Sequence, residues 1–159
     1  MFEPNSKTRH WMAHVNVRLQ EGYKTEVFTR GIMTIADEPI EAGGTNAGLS
    51  PTEMVLGGLG ACAAITARFY AERKGWKLDS VEIALDSTKF KSADYPAYEG
   101  TADILFEIKQ MMRFNGDLTD EQKDRLREIA GKCPVHKMFT SPTIMVEQIV
   151  DDLILDESR

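Results

Sequence analysis

The sequence predicts an α+β fold with a largely antiparallel sheet, and three observations lead there. Apolar residues alternate with period two near the start, in the middle and near the end of the chain. Two segments open with reciprocal helix-capping signals, one of them leading into a long run of small and apolar residues. The resulting order is strands, long helix, strands, helix, strand. With 159 residues, 42% apolar and 28% charged, the chain has the size and composition of one soluble domain spanning 1–159.

Residues 11–35 read as a hairpin followed by a short third strand. Trp11, Ala13, Val15, Val17 and Leu19 alternate with more polar neighbours, and Glu21-Gly22 makes the turn. The return strand covers 23–29 and the third strand 32–35. A loop over 37–49 carries Pro39, Gly43, Gly44 and Gly48, a length that marks functional loops in compact domains. Ser50-Pro51-Thr52-Glu53 then starts a helix: Ser50 as N-cap, Pro51 at the first helical position, Glu53 closing a capping box. That helix runs to about Lys74, with Gly75 as a left-handed stop. Gly57, Gly58 and Gly60 lie inside it at a cost of roughly 1 kcal/mol each relative to alanine, which calls for close approach of another backbone. Because the first half is apolar on all sides and few other helices exist to cover it, an obligate homodimer is expected.

Val81, Ile83 and Leu85 begin a strand reaching about Phe90, and residues 98–111 read as its antiparallel partner. Thr119-Asp120-Glu121-Gln122 is the second capping box, opening a helix through Ala130 that Gly131 ends. A short helical turn spans 134–139, a last strand 143–150, and an acidic tail follows.

The net charge is −6 and Lys and Arg are scattered without a basic block, so neither nucleic acid nor an anionic membrane is an expected partner. The longest small-or-apolar run, 54–65, falls short of the roughly 20 residues needed to cross a bilayer, and the N-terminus lacks the apolar core of a secretory signal. A cytoplasmic location is expected.

Chemistry centres on Cys62 and Cys133, which in a reducing compartment are inert thiols, metal ligands or redox groups. Cys133, just before Pro134, is placed as the N-cap of a short helix whose dipole and free N–H groups favour a thiolate, with His136 and Lys137 one turn away. Locally it is the better nucleophile. Cys62, mid-helix among apolar groups, needs a cation brought from elsewhere. Cys133-x-x-His136 has ligand-like spacing and Cys62 offers a third ligand, but the paired CxxC or HxH motifs of structural zinc are absent, and no metal or organic cofactor is expected. No nucleophile elbow or phosphate-binding glycine loop is present.

Together, ADEP at 36–39, Gly43-Gly44, GLSPTEMVLGGLGAC at 48–62, YAERKGW at 70–76 and CPVHKM at 133–138 resemble the OsmC/Ohr family of thiol-dependent peroxidases, over nearly the whole chain. The resemblance implies an OsmC-like fold: an intertwined homodimer around a long central helix, with sites at the subunit interface. It also implies a reaction. Cys62 matches the peroxidatic cysteine, which attacks an organic hydroperoxide and becomes a sulfenic acid; Cys133 matches the resolving cysteine, which closes a Cys62–Cys133 disulfide; a dithiol reductant restores both. This inverts the local assignment, leaving Cys133 as a slightly acidic, good leaving thiol.

The family pattern places a carboxylate directly after the proline, paired with an arginine in the first hairpin's turn. Here Thr52 holds that place with Glu53 next to it, and the turn offers Gln20 and Glu21. Arg30, ahead of Arg18, is the expected activator of Cys62. Glu53 is open to two roles, helix cap or partner of that arginine. The alternative within the same resemblance is a redox-sensing or small-molecule-binding protein with little turnover.

Overall fold

The computed structural model describes residues 13–155, which fall into two compact units. One holds the described residues up to Met54 together with those from Val146 onward; the other is Val55–Met145. Trp11, expected in the first strand, lies outside the described residues.

The first unit is built on three antiparallel strands, β1 (Asn16–Leu19), β2 (Thr25–Thr29) and β3 (Ile32–Ala36), in the order β1-β2-β3. Gly22, at φ +63°, turns β1 into β2 where Glu21-Gly22 was expected to. The β2–β3 turn is tighter: only Arg30 and Gly31 separate the strands, at φ +52° and +73°. Two positive-φ residues in a two-residue connection follow the strands' own twist. Arg30 therefore sits in the turn itself, beyond the strand end where the sequence put it. Val17 pairs with Val27, which pairs in turn with Thr34, and Asn16 pairs with Phe28, which pairs with Met33, so Phe28 is buried on one face while Val17 and Leu19 stay exposed on the other.

The loop after β3 is organised by Asp37, only 1% exposed. Its Oδ1 accepts from the Glu38 N–H (2.9 Å), and its Oδ2 accepts from the N–H groups of Thr45 (2.9 Å) and Ala47 (3.0 Å) and from the Thr45 hydroxyl. These bonds, the hydroxyl's above all, hold the carboxyl down from 3.8 to about 2, because each stabilises the charged form. The same tight folding dictates two glycines. A Cβ on Gly44 would lie 1.9 Å from the Glu38 carbonyl oxygen, and one on Gly48 2.1 Å from that of Ile35.

Helix α1 (Pro51–Lys74) begins as expected. The Ser50 N–H donates to Glu53 (2.8 Å) and the Glu53 N–H donates back to the Ser50 hydroxyl (3.3 Å), a complete capping box. Gly75 ends the helix at φ +66°. Within Val55–Met145, α1 lies on a two-stranded ribbon of β4 (Lys77–Lys91) and β5 (Ile104–Asp117), with α2 (Asp120–Ala130) and α3 (Pro134–Thr140) completing the unit. Leu59, Ala63, Ala67 and Ala71, four residues apart on one stripe of α1, are buried with Leu78, Phe114, Leu126, Ala130 and Cys133. Arg68 ties the helix to the ribbon's start by donating to the carbonyls of Leu78 and Asp79.

Several expectations need correction. β5 occupies 104–117, not 98–111: Tyr98 instead folds back so that its hydroxyl accepts from the Ala102 N–H, and the ladder continues past Met111 through Arg113–Glu82 and Asn115–Ser80. Gly131 closes α2 in a right-handed conformation, φ −68°, with its N–H on Arg127. Residues 143–150 form no strand, because no sheet edge of the described residues pairs with them. The glycines of α1 divide. A Cβ on Gly60 would come 2.7 Å from Leu85 Cδ1, but Gly57 and Gly58 face nothing within 4 Å. Finally, α1 as folded does have the length and apolarity of a membrane-crossing helix, so the shorter run at 54–65 excludes less than it suggested.

Candidate functional site

Both cysteines lie in the second unit, with side chains close enough to perturb each other. Cys62 is half-buried on the flank of the α1 stripe, packed against the core that contains Cys133; Cys133 itself is fully buried. Both are free thiols.

Cys133 is held as the sequence expected, at the N-cap of α3, where its Sγ accepts from the His136 N–H (3.3 Å) with Pro134 at the first helical position. Its acidity is the reverse of the expectation. Burial pushes the Cys133 thiol up; the His136 N–H pulls it down by less, and the neighbouring Cys62 sulfur adds to the rise. Helix-end chemistry can be read from adjacent residues, whereas burial comes from Leu126, Ala130 and α1, which the sequence does not place beside it.

Around Cys62, the Thr66 hydroxyl donates to the Cys62 carbonyl (2.7 Å), fixing the turn that follows the thiol. Glu53 is at the start of the same helix. One of its carboxylate oxygens is occupied by the cap, and the Ser50 N–H holds its carboxyl below the usual range. Arg18 pairs with Glu26 (3.3 Å) across β1–β2 and lies 5.3 Å over the Phe28 ring. Arg30 makes no ion pair among the described residues, and it holds a left-handed conformation that arginine adopts at a cost. A committed cation and an uncommitted one thus occupy the first unit. Among the described residues, no group of three or more His, Cys, Asp or Glu side chains gathers as a metal would require.

One polar group stood out to no sequence argument. The Gln110 side-chain oxygen is buried and has no hydrogen-bond partner. The signal was present: Gln110 interrupts the row Ile108, Met112, Phe114 on alternate positions of β5.

A paired-thiol α+β fold built on a central helix, with a buried cysteine at a short helix's N-cap, defines a class with known relatives. The family model for OsmC-like proteins matches residues 44–147, and this chain belongs to that family. Similar solved structures include an osmotic stress induced and detoxification response protein from Psychrobacter arcticus (TM-score 0.64, 19% identity, 82% of this chain and 90% of that one). Others are an organic hydroperoxide resistance protein OsmC from Legionella pneumophila (0.59, 16%, 82% and 91%) and the organic hydroperoxide resistance protein OhrB of Bacillus subtilis (0.56, 19%, 80% and 91%). At these identities the likeness establishes the fold. The sequence matches no curated protein significantly.

Proposed function

We propose that this chain is a thiol-dependent peroxidase that reduces organic hydroperoxides through Cys62 and Cys133. The observation that supports the reading best is that a half-buried cysteine and a fully buried one share one core and lie close enough to perturb each other. The Cys62 thiolate attacks the outer oxygen of the peroxide bond, giving a sulfenic acid and an alkoxide that takes a proton from solvent. The Cys133 sulfur then displaces that oxygen as water, closing a Cys62–Cys133 disulfide. A dithiol of the reducing cytoplasm returns both to thiols. The raised Cys133 thiol suits the second role: it stays protonated and out of the first step while Cys62 reacts. The apolar surroundings favour an organic peroxide over a small polar one. Arg30, with Glu53 orienting it, is the activating cation in this reading.

The active form is proposed to be a homodimer. Gly57, Ala61, Ile65 and Phe69 form a second stripe on α1, half a turn away from the buried one, and all four are exposed. Ile144, Val146, Ile149, Leu153 and Ile154 are also largely exposed. A second copy of the chain covers both, giving Gly57 and Gly58 the close neighbour that their helix cost calls for and residues 143–150 the edge they lack. This surface of small residues with few large ones suits another helix better than lipid, which gains little from glycine and alanine.

The test is Cys62→Ser against Cys133→Ser with cumene hydroperoxide. The first should consume none. The second should yield one sulfenic acid trappable by dimedone, and excess peroxide should carry Cys62 on to the sulfinic acid. If Cys133→Ser alone blocks the first oxidation, the roles are reversed.

A further inference from the structure

Tyr70 and Arg125 join α1, which carries Cys62, to α2, which leads into Cys133. The Arg125 Nε donates to the Tyr70 hydroxyl (3.2 Å), its Nη1 donates to Glu128, and the Lys132 ammonium donates to the other oxygen of the same carboxylate. This polar chain runs from α1 to the residue directly before Cys133. Its α1 end is itself held: the Tyr70 ring meets Trp76 edge-on (5.6 Å between centroids), and Lys74 Nζ and Arg125 Cζ lie 5.7 and 5.6 Å from its centre. The spacing is matched on both sides. Tyr70 lies eight residues after Cys62 and Arg125 eight before Cys133, a distance of about 12 Å along the α1 axis. The segment from Arg125 to Cys133 therefore runs back along α1, with the hydrogen bond at one end and the two cysteines at the other.

Between those ends the contact is apolar. Leu126 and Ala130 of α2 are buried with Ala63, Ala67 and Ala71 of α1. Such burial is non-directional, and a row of alanines offers no large side chain to stop one helix sliding along the other. A hydrogen bond does fix direction. Register matters here, because a disulfide closes only with Cα atoms about 4.4–6.8 Å apart. We propose that the Tyr70–Arg125–Glu128–Lys132 chain sets the register of Cys133 against Cys62, and with it the rate at which their disulfide closes. The inference rests on the peroxidase reading above and makes Tyr70 and Arg125 positioning residues. In the step they govern, the Cys133 sulfur attacks the sulfur of Cys62–S–OH. The S–S bond forms as the S–O bond breaks, and the hydroxyl leaves with the thiol proton as water. The two ion pairs of the chain span three and four residues within α2 and its last turn, and add little to overall stability. The bond to Tyr70, donated by a charged group, is the one that crosses between helices.

The experiment compares wild type with Tyr70→Phe, which keeps the ring and loses only the acceptor, and Arg125→Met. Arg127→Met, which breaks the Arg127–Asp124 pair of the same helix outside the chain, is the control. Each protein receives one equivalent of cumene hydroperoxide, and rapid quenching with mass spectrometry times the sulfenic acid and the disulfide separately. Both chain variants should form the sulfenic acid within about twofold of wild type and close the disulfide about tenfold more slowly, inside the hundredfold that a 1 Å misplacement can cost. The double variant should close no more slowly than Arg125→Met alone, since the first break already frees the register. In glutathione redox buffers the Cys62–Cys133 pair of both variants should be more easily reduced by a similar factor, while Arg127→Met matches wild type throughout. Closure at the wild-type rate in both chain variants overturns the proposal, even if their melting temperatures fall, because the chain would then serve stability alone. Equal slowing of both steps overturns it too, as general damage to the site. A wild type that does not react with the hydroperoxide refutes the peroxidase reading, and the glutathione equilibrium still judges the positioning: equal equilibria in wild type and variants overturn it.

Discussion

Replacing Gly57 by alanine distinguishes a solvent-facing α1 from one closed by a second copy. An added Cβ meets nothing within 4 Å inside the chain. With that face in water, the substitution only removes a helix-weakening glycine, a gain of about 1 kcal/mol per chain. For a protein of this length that would raise Tm by about 2–4 °C. With a second copy seated on Gly57, Ala61, Ile65 and Phe69, the sign changes. A two-fold interface receives the new methyl twice, and each overpacks by about 1–3 kcal/mol, which offsets or exceeds the gain. Ala61→Leu sharpens the contrast, because alanine and leucine differ by only a few tenths of a kcal/mol in helix propensity. Thermal melts and light scattering over a dilution series read both effects. The dimer predicts that Ala61→Leu lowers Tm and dissociates at concentrations where wild type remains paired, while Gly57→Ala fails to gain stability. A Gly57→Ala protein melting 2–4 °C higher with unchanged mass, together with a neutral Ala61→Leu, would refute the reasoning.

Three further outcomes follow from the geometry. Arg30→Asn should raise stability by up to about 1 kcal/mol, since asparagine accepts the left-handed turn more readily, yet slow methanethiosulfonate modification of Cys62; unchanged thiol reactivity removes Arg30 as activator. Asp37 is depressed to about 2 in the folded chain, so its stabilisation is fully present above its unfolded value of 3.8 and is lost as pH falls toward 2; Asp37→Asn, measured by acid unfolding, should flatten that part of the profile. The Cys133 thiol is raised, so its linkage runs the other way: stability is lost as pH rises past its unfolded value, and Cys133→Ala should lessen the alkaline decline seen in urea melts.

What the sequence reveals and what it hides divide along the range of the interactions. Both capping boxes, Ser50–Glu53 and Thr119–Gln122, and the Cys133-Pro134 helix start are settled within four residues and form as read. Alternation finds β4 and β5, but not their extent, because polar pairs such as Ser80–Asn115 extend the ladder as well as apolar ones do. Residues 143–150 carry a strand's pattern, yet a strand also needs an edge, and the pattern does not say which chain supplies it. The acidity of Cys133 escapes the sequence for the same reason: its cap is local, its burial is not. The pairing of Cys62 with Cys133 could be inferred only through family likeness, since spacing alone leaves their neighbourhood undetermined.

The central claim is tested most directly by counting thiols and peroxide together. Wild-type protein receives one equivalent of cumene hydroperoxide, its free thiols are titrated, and peptide mapping locates any crosslink. Excess hydroperoxide with dithiothreitol then follows turnover. The account predicts loss of both thiols, a single Cys62–Cys133 disulfide, and peroxide consumption that continues while the dithiol lasts. Two thiols that stay free in the presence of the hydroperoxide, or a disulfide that forms once and supports no further consumption, would contradict it.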